Sequence, residues 1–165
     1  MRCGRCCTSF GVCVTPFDIK RISQATGMDP ISFVMAIPEP PDRERTEPAV
    51  IIDGERSLIV LRWSTENICG FYSGTGCKIY DDRPLLCRTY PFNLDNGQKL
   101  ADMKSRACPK KWTPASARGY LADLKKYKKE IEAYQKIADE WNAKDGGSLS
   151  SFLSFVLDRN NPGRF

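Results

Sequence analysis

Residues 69–92 read CGFYSGTGCKIYDDRPLLCRTYPF, and this stretch decides the fold because it sets three cysteines among glycine, aromatic and charged residues. A second group of thiols lies near the N-terminus, in Met1-Arg2-Cys3-Gly4-Arg5-Cys6-Cys7. The chain has eight cysteines and no histidine in 165 residues. Two separated thiol groups with ligand-like spacing predict a metal centre assembled from distant segments. All eight cysteines are candidate metal ligands: Cys3, Cys6, Cys7, Cys13, Cys69, Cys77, Cys87 and Cys108.

An even number of cysteines is also typical of small secreted domains held by disulfides. The first seven residues contain no apolar segment, so they predict no secretory signal peptide. A chain of this length can also bury a core without disulfides. Ordinary buried thiols are a further alternative, but the segments around Cys6, Cys69 and Cys77 are too rich in glycine and polar residues to be core. Metal binding is therefore the favoured interpretation.

The composition, 41% hydrophobic and 27% charged residues, indicates a folded domain rather than a disordered chain. No apolar run approaches the length of a membrane span, so we predict no membrane role. The net charge of +5 is mild, and part of it comes from the cluster Lys125, Lys126, Lys128 and Lys129. Such a cluster is more typical of a solvated helix face than of a nucleic-acid footprint, so we do not expect a nucleic-acid partner. We expect one reduced, cytoplasmic domain.

Thr15-Pro16-Phe17-Asp18 predicts a helix start, with Thr15 as the cap and Pro16 at the first helical position. The following apolar residues Ile19, Ile22 and Ala25 fall on one face, and Gly27 can end the helix.

Asp29-Pro30 repeats this pattern and predicts a second, short helix that runs through Ile37. A β-hairpin is then predicted by two β-prone runs, residues 49–52 and 57–63. Asp53-Gly54 between them supplies the positive φ angles that a tight turn requires.

Thr113-Pro114 predicts the start of the longest helix, which runs to about residue 144 and is stopped by Gly146-Gly147. Its apolar residues recur at three-four spacing: Tyr120, Leu124, Tyr127, Ile131, Tyr134, Ala138 and Trp141. Core packing is the favoured interpretation of this stripe, and a seam for a protein partner is the alternative. A final short amphipathic helix begins at Ser148.

These elements predict an α+β fold: a small irregular metal-centred domain with short helices and a β-hairpin, then a long C-terminal helix and a short amphipathic helix. We divide the chain into a cysteine-cluster region, residues 1–112, and a helical region, residues 113–165, packed together as a single domain.

The thiols can be grouped in more than one way. The C-x-x-C spacing of Cys3 and Cys6 lets two thiolates converge on one ion, whereas neighbours on extended backbone, such as Cys6 and Cys7, point in opposite directions. One centre would join the N-terminal thiols to Cys77 and Cys87. A second centre could recruit the remaining cysteines: Cys13, Cys69 and Cys108.

The chain carries CGRCC at residues 3–7, CKIYDDRPLLCRTYPF at residues 77–92 and Cys108-Pro109. In these motifs it resembles the YkgJ-type cysteine-cluster family, described as zinc- or iron-chelating and as Fe–S-cluster-containing. The family motif begins C-x-x-C-G-x-C-C, and its first cysteine would fall one position before Met1, which makes Cys13 a candidate substitute ligand. Relatives with this pattern include flagellin lysine N-methylases, so the resemblance also implies a protein-modifying role, with no catalytic residue assigned.

All-thiolate ligation suits both zinc and iron–sulfur clusters. Structural zinc sites usually contain two short C-x-x-C-like pairs, whereas the second group here is spaced at eight, ten and twenty-one residues. We therefore expect an iron–sulfur cluster of the 4Fe-4S type, in one-electron transfer or as part of a protein-modifying enzyme. A non-enzymatic zinc module is the alternative.

Two arginines flank Cys87 in the motif at residues 77–92. Four thiolates around zinc or an oxidised cluster leave a net charge of about −2, which is costly to bury. Arg83 and Arg88 are candidates to offset it by binding near the ligand sulfurs. Surface ion pairs with Asp81 and Asp82 are the alternative.

Overall fold

The computed structural model of the chain describes residues 4–41, 47–64, 68–95, 99–102, 107 and 116–159. The predicted α+β class is confirmed, and the described chain ends with a long helix followed by a shorter one. The helices are α1 (Pro16–Thr26), α2 (Pro30–Phe33), α3 (Leu85–Thr89), α4 (Ala117–Asn142) and α5 (Leu149–Arg159), preceded by a 3-10 turn at Arg5–Thr8. The strands are β1 (Val34–Pro38), β2 (Val50–Ile52), β3 (Glu55–Leu61), β4 (Phe92–Leu94) and β5 (Leu100–Asp102). The boundary predicted after residue 112 lies outside the described residues.

Helix α1 begins and ends where the sequence predicts. Thr15 and Asp18 form a reciprocal cap, in which the Asp18 N–H donates to Thr15 Oγ1 and the Thr15 N–H donates to Asp18 Oδ2, both at 3.1 Å. Gly27 ends the helix in the left-handed conformation, with φ of 69°. Local backbone chemistry is therefore sufficient to define this helix.

The structure corrects two details of the first forty residues. Ala25 is exposed, so only Ile19 and Ile22 of the three predicted apolar residues are buried. Helix α2 is a single turn and does not run to Ile37, because the residues after it form β1, antiparallel to β3. Val34 and Ile37 are β-branched, and backbone pairing with β3 outweighs the helical tendency of this apolar run.

Strand β3 is the centre of a three-stranded antiparallel sheet in the order β1-β3-β2. The predicted hairpin between β2 and β3 is confirmed, since Asp53 and Gly54 form its turn with φ angles of 50° and 83°. Residues 57–61 of β3 are all buried. A strand that is buried along this length anchors the elements around it.

The chain just before α1 also pairs with β3, on the same edge as β2. The Val14 N–H donates to Ile59 O at 3.0 Å, and the Leu61 N–H donates to Val12 O at 2.9 Å. This pairing holds the segment after the N-terminal cysteines against the sheet.

Helix α4 packs its apolar stripe against the core, as predicted. The Ser116 hydroxyl caps it by accepting from the Gly119 N–H at 3.2 Å, while the predicted start at Thr113-Pro114 lies outside the described residues. The buried members of the stripe are Leu124, Tyr134, Ala138 and Trp141.

Helix α5 packs on α1 and α2 and closes the core. Its predicted apolar side is buried at Phe152, Leu153 and Val156. The Phe152 ring makes an edge contact with Trp141, with centroids 5.3 Å apart, and lies 6.5 Å from the Tyr134 ring. Within the described ranges, the chain has no helix with the length and apolar character that crossing a membrane requires.

The outer edge of β2 is covered by the end of α4. The Asn142 side chain takes the place of a neighbouring strand, because its Oδ1 accepts from the Ile51 N–H at 2.8 Å and its Nδ2 donates to Ala49 O at 3.0 Å. The Trp141 Nε1–H donates to Ile51 O at 2.8 Å. The outward backbone groups of β2 are therefore hydrogen-bonded by these side chains and by the backbone of Gly147, whose N–H donates to Ile51 O at 3.4 Å.

We expect Asn142→Ala to lower the free energy of unfolding by about 1–3 kcal/mol, because it leaves the half-buried Ile51 N–H and Ala49 carbonyl at the edge of β2 without their partner. Urea denaturation followed by circular dichroism measures this loss. Lys144→Ala, on the exposed turn after α4, is the control and should change stability by less than about 0.5 kcal/mol. Equal losses in the two variants would contradict the role given to Asn142.

Candidate metal centre

Cys6 and Cys7 lie in the 3-10 turn Arg5–Thr8, not on extended backbone. The turn places their Sγ atoms 4.0 Å apart. The expectation that these two thiols point in opposite directions is therefore wrong, because side chains alternate only along an extended chain. Both thiols can face the same centre.

Gly4 allows this turn to form against the second cysteine segment. It has φ of 70°, a left-handed conformation that favours glycine, and its carbonyl accepts from the Cys7 N–H at 2.9 Å. A Cβ atom at this position would come within 2.5 Å of the Tyr72 ring. Because Tyr72 lies between Cys69 and Cys77, this close approach packs the two thiol-bearing segments together.

Residues 69–77 form a loop that is bonded to the N-terminal turn. The Cys69 N–H donates to Cys7 O at 2.8 Å, and Tyr72 forms an antiparallel bridge with Cys77. Cys69 is only 7% exposed, whereas Cys77 is half-buried. The expectation that this segment is too polar for the core is wrong for Cys69, because the neighbouring Phe71 packs inward and takes it into the core.

Cys87 reaches the same region from a third segment, helix α3. This helix begins at Leu85, whose N–H donates to Asp18 Oδ1 at 3.0 Å. Cys87 packs against the hydrophobic core cluster that contains Cys69, and Cys7 and Cys77 pack against the same cluster.

Five thiols are close enough to interact electrostatically: Cys6, Cys7, Cys69, Cys77 and Cys87. Burial raises the pKa of Cys69, and it raises the pKa of Cys87 well above its ordinary value, with neighbouring thiolate charges adding to both shifts. The hydrogen bond from Cys7 lowers the pKa of Cys6 to about 6, and the same contact raises the pKa of Cys7. Holding several thiolates together is costly, and a bound cation would offset that cost.

Cys13 lies apart from this group. It is 2% exposed and packs in a small cluster with Leu58 and Val60. The cluster that contains Ile59 is instead the one contacted by four other thiols: Cys7, Cys69, Cys77 and Cys87. Successive residues of β3 face opposite sides of the sheet, so Cys13 is on the other face. The described residues do not include two predicted ligands, Cys3 and Cys108.

The two predicted arginines have different surroundings. The Arg83 guanidinium stacks over the Tyr80 ring at 3.8 Å from its centroid, donates to the Tyr80 carbonyl, and helps to lower the pKa of Cys6 through its charge. Arg88 is paired with helix α4, because its Nε donates to Asp123 Oδ2 at 3.2 Å. Arg83 is therefore the arginine whose charge acts on a thiol.

Sequence reasoning missed a buried ionic network beside α3. Arg21 Nη2 donates to Asp18 Oδ1 at 2.5 Å, and the guanidinium also donates to both carboxylate oxygens of Glu130, at 2.6 and 2.9 Å. Burial acts to lower the pKa of Arg21, but the hydrogen bonds and charges of Glu130 and Asp18 outweigh it and raise that pKa. The spacing of Asp18 and Arg21, which suits an ion pair on one helix, can be recognised in the sequence. The contact between Arg21 and Glu130 depends on tertiary packing.

No three cysteine, aspartate or glutamate side chains in the part of the chain that the structure describes are arranged to hold a metal ion. The donor chemistry of the gathered thiols nevertheless fits a thiophilic metal. They provide sulfur donors from three segments, and the chain has no histidine that could replace one. Zinc and iron both accept such a donor set.

An α+β domain that gathers thiols from separate segments has the features of a metal-chelating protein. The chain belongs to the CxxCxxCC family, described as a putative zinc- or iron-chelating domain, which it matches over residues 1–109. No curated protein and no solved structure matches the chain significantly. The resemblance found in the cysteine motifs is thereby confirmed, and the family description supports metal binding. Helices α4 and α5 lie beyond the matched region.

Proposed function

We propose that this protein holds an iron–sulfur cluster of the 4Fe-4S type through cysteine thiolates. The observation that carries the proposal is the gathering of five thiols from the N-terminal turn, the 69–77 loop and helix α3. We draw the ligands from Cys6, Cys7, Cys69, Cys77 and Cys87, with Cys3 and Cys108 as further candidates from the sequence. Cys13 is not included, because it lies on the other face of the sheet.

The spacing of the thiols favours a cluster over a single zinc ion. A structural zinc ion commonly takes its four ligands from two short-spaced pairs, whereas Cys69, Cys77 and Cys87 are widely spaced in sequence. Cluster ligation by cysteine tolerates such irregular, loop-borne spacing. The positive charge of Arg83 near Cys6 would help to offset the net charge of about −2 that four thiolates leave around either a cluster or a zinc ion.

The role that we propose for the cluster is one-electron transfer, alone or as the metal-bearing part of an enzyme. Cys6, Cys7 and Cys77 are only half-buried, so the centre would lie near the surface, where a redox partner can approach. All six described cysteines are thiols and not disulfides, which supports a reducing compartment, and we place the protein in the cytoplasm.

Anaerobic purification of the full chain tests the proposal. A coloured protein with visible charge-transfer absorption, iron and acid-labile sulfide is expected, and electron paramagnetic resonance after reduction should show a cluster signal. A colourless protein with one zinc ion per chain would contradict it.

That second result would establish the alternative function, a zinc-binding structural module. The observation that favours this alternative is the direct bond between the two cysteine segments, from the Cys69 N–H to Cys7 O at 2.8 Å. A tetrahedral zinc ion would tie these segments together, and its removal by a chelator should then unfold the N-terminal turn without any change in redox behaviour.

A further inference from the structure

Asp18 makes more hydrogen bonds than the cap of α1 requires. Its Oδ2 accepts from the N–H and the hydroxyl of Thr15, both at 3.1 Å, which completes the cap. Its Oδ1 accepts from the Leu85 N–H at 3.0 Å and from Arg21 Nη2 at 2.5 Å. The Asp18 side chain is 0% exposed, so this carboxylate is a buried junction between two segments that lie 67 residues apart in the chain.

The bond to Leu85 fixes the start of the helix that carries Cys87. Leu85 is the first residue of α3, and Pro84 before it supplies no side-chain cap. A five-residue helix is not stable alone, so its position depends on contacts of this kind. Cys87 follows two residues later, close enough to Asp18 for the two groups to interact electrostatically.

Arg21 and Glu130 hold Asp18 in place from the side of α4. The Glu130 side chain is 10% exposed, and its two carboxylate oxygens accept hydrogen bonds from the two terminal nitrogens of the Arg21 guanidinium. Lys126 Nζ lies 4.0 Å from Glu130 Oε1. Because two carboxylates face two cations, the network is close to neutral. Asp18 still interacts electrostatically with Cys87, and its hydrogen bond to the Leu85 N–H also fixes the position of the helix that carries this thiol.

Helix α4 also holds the other end of α3, through the bond from Arg88 Nε to Asp123 Oδ2 at 3.2 Å. Both Asp123 and Glu130 lie beyond residue 109, where the family match ends. The short helix with Cys87 is thus held at both ends by contacts that lead to α4.

We propose that Asp18 is a positioning residue for the Cys87 thiolate, and that Arg21 and Glu130 hold Asp18 so that helix α4 sets the affinity of the metal centre. This inference rests on the proposed function, because it requires Cys87 to be a ligand. Asp18 acts through the backbone of α3 and does not touch the metal.

Titration of the full chain with Co²⁺, after metal removal under anaerobic reducing conditions, tests this proposal. Thiolate-to-cobalt absorption reports the affinity, and the d–d bands report the coordination geometry. Asp18→Asn and Glu130→Gln are each expected to weaken Co²⁺ binding by roughly 10- to 100-fold and to shift the d–d bands. The double variant should bind little more weakly than Asp18→Asn alone, because both residues act through one network. Glu132→Gln, an exposed change on the same helix, is the matched control and should keep the wild-type affinity.

The outcomes separate a positioning role from a structural one. If Glu130→Gln keeps the wild-type affinity and d–d spectrum at a temperature well below its unfolding midpoint, the proposal is overturned and the network only stabilises the fold. Additive losses in the double variant would overturn the action of Glu130 through Asp18. If Asp18→Asn does not fold, the Co²⁺ affinity and d–d spectrum of Glu130→Gln alone test the proposal. A wild-type chain without thiolate-to-cobalt absorption would overturn this inference, because Cys87 would then not bind the added metal ion. The proposed function is tested separately, by the iron and acid-labile sulfide content of the anaerobically purified protein.

Discussion

Cys87→Ser is expected to lower the metal content of the anaerobically purified protein to below about one tenth of the wild-type value. Cys87 comes from the third of the three segments that gather thiols, and its side chain interacts with Cys6, Cys69 and Cys77. A serine hydroxyl stays protonated at neutral pH and is a poor ligand for a thiophilic metal. Iron, zinc and acid-labile sulfide measured per chain report the loss.

Cys13→Ser is the matched control, because it makes the same chemical change at a buried thiol on the other face of the sheet. It should keep its full metal content, with stability reduced by about 1–2 kcal/mol from burying a hydroxyl. Full metal content in the Cys87 variant would remove Cys87 from the ligands, and loss of metal in the Cys13 variant would restore Cys13 to them.

Phe152→Ala is expected to lower the free energy of unfolding by about 3–5 kcal/mol, the largest effect on stability that we predict. Phe152 is 0% exposed and fills the space between α5 and α4, where it contacts the rings of Trp141 and Tyr134. Its removal leaves a cavity and also loses the aromatic contacts. Thermal denaturation should show a midpoint lower by roughly 10 °C or more.

Phe155→Ala provides the comparison on the same helix. Phe155 is half-buried against Trp141, with ring centroids 5.2 Å apart, so its truncation removes less buried surface and should cost less than half as much. Equal losses in the two variants would show that α5 packs differently from the arrangement described here.

The elements that the sequence predicted correctly are those decided by nearby residues. The start of α1 follows from Thr15 and Asp18, three residues apart, and the β2–β3 turn follows from Asp53-Gly54. Strand β1 could not be predicted in this way, because residues 34–38 are compatible with a helix until β3 pairs with them.

The same distinction applies to the metal centre. The cysteine pattern identified which residue types and segments carry the chemistry, and the family match supports that interpretation. The separation of Cys13 from the other thiols depends on which face of β3 it packs against, and the approach of Cys6 to Cys7 depends on a 3-10 turn. The connection from Asp18 through Arg21 to Glu130 joins two distant parts of the chain, and no sequence pattern near either carboxylate predicts it.

The hydrogen bonds from Trp141 and Asn142 to the edge of β2 have a consequence for the region that matches the family, residues 1–109, if it were made without α4. A polypeptide ending at residue 109 would lack Trp141 and Asn142, so the outward N–H and C=O groups of Ile51 would lose their partners. An open strand edge with apolar neighbours is a template for pairing with the same edge of another molecule. We expect such a shortened protein to associate through this edge, because Trp141 and Asn142 of α4 would no longer cover it.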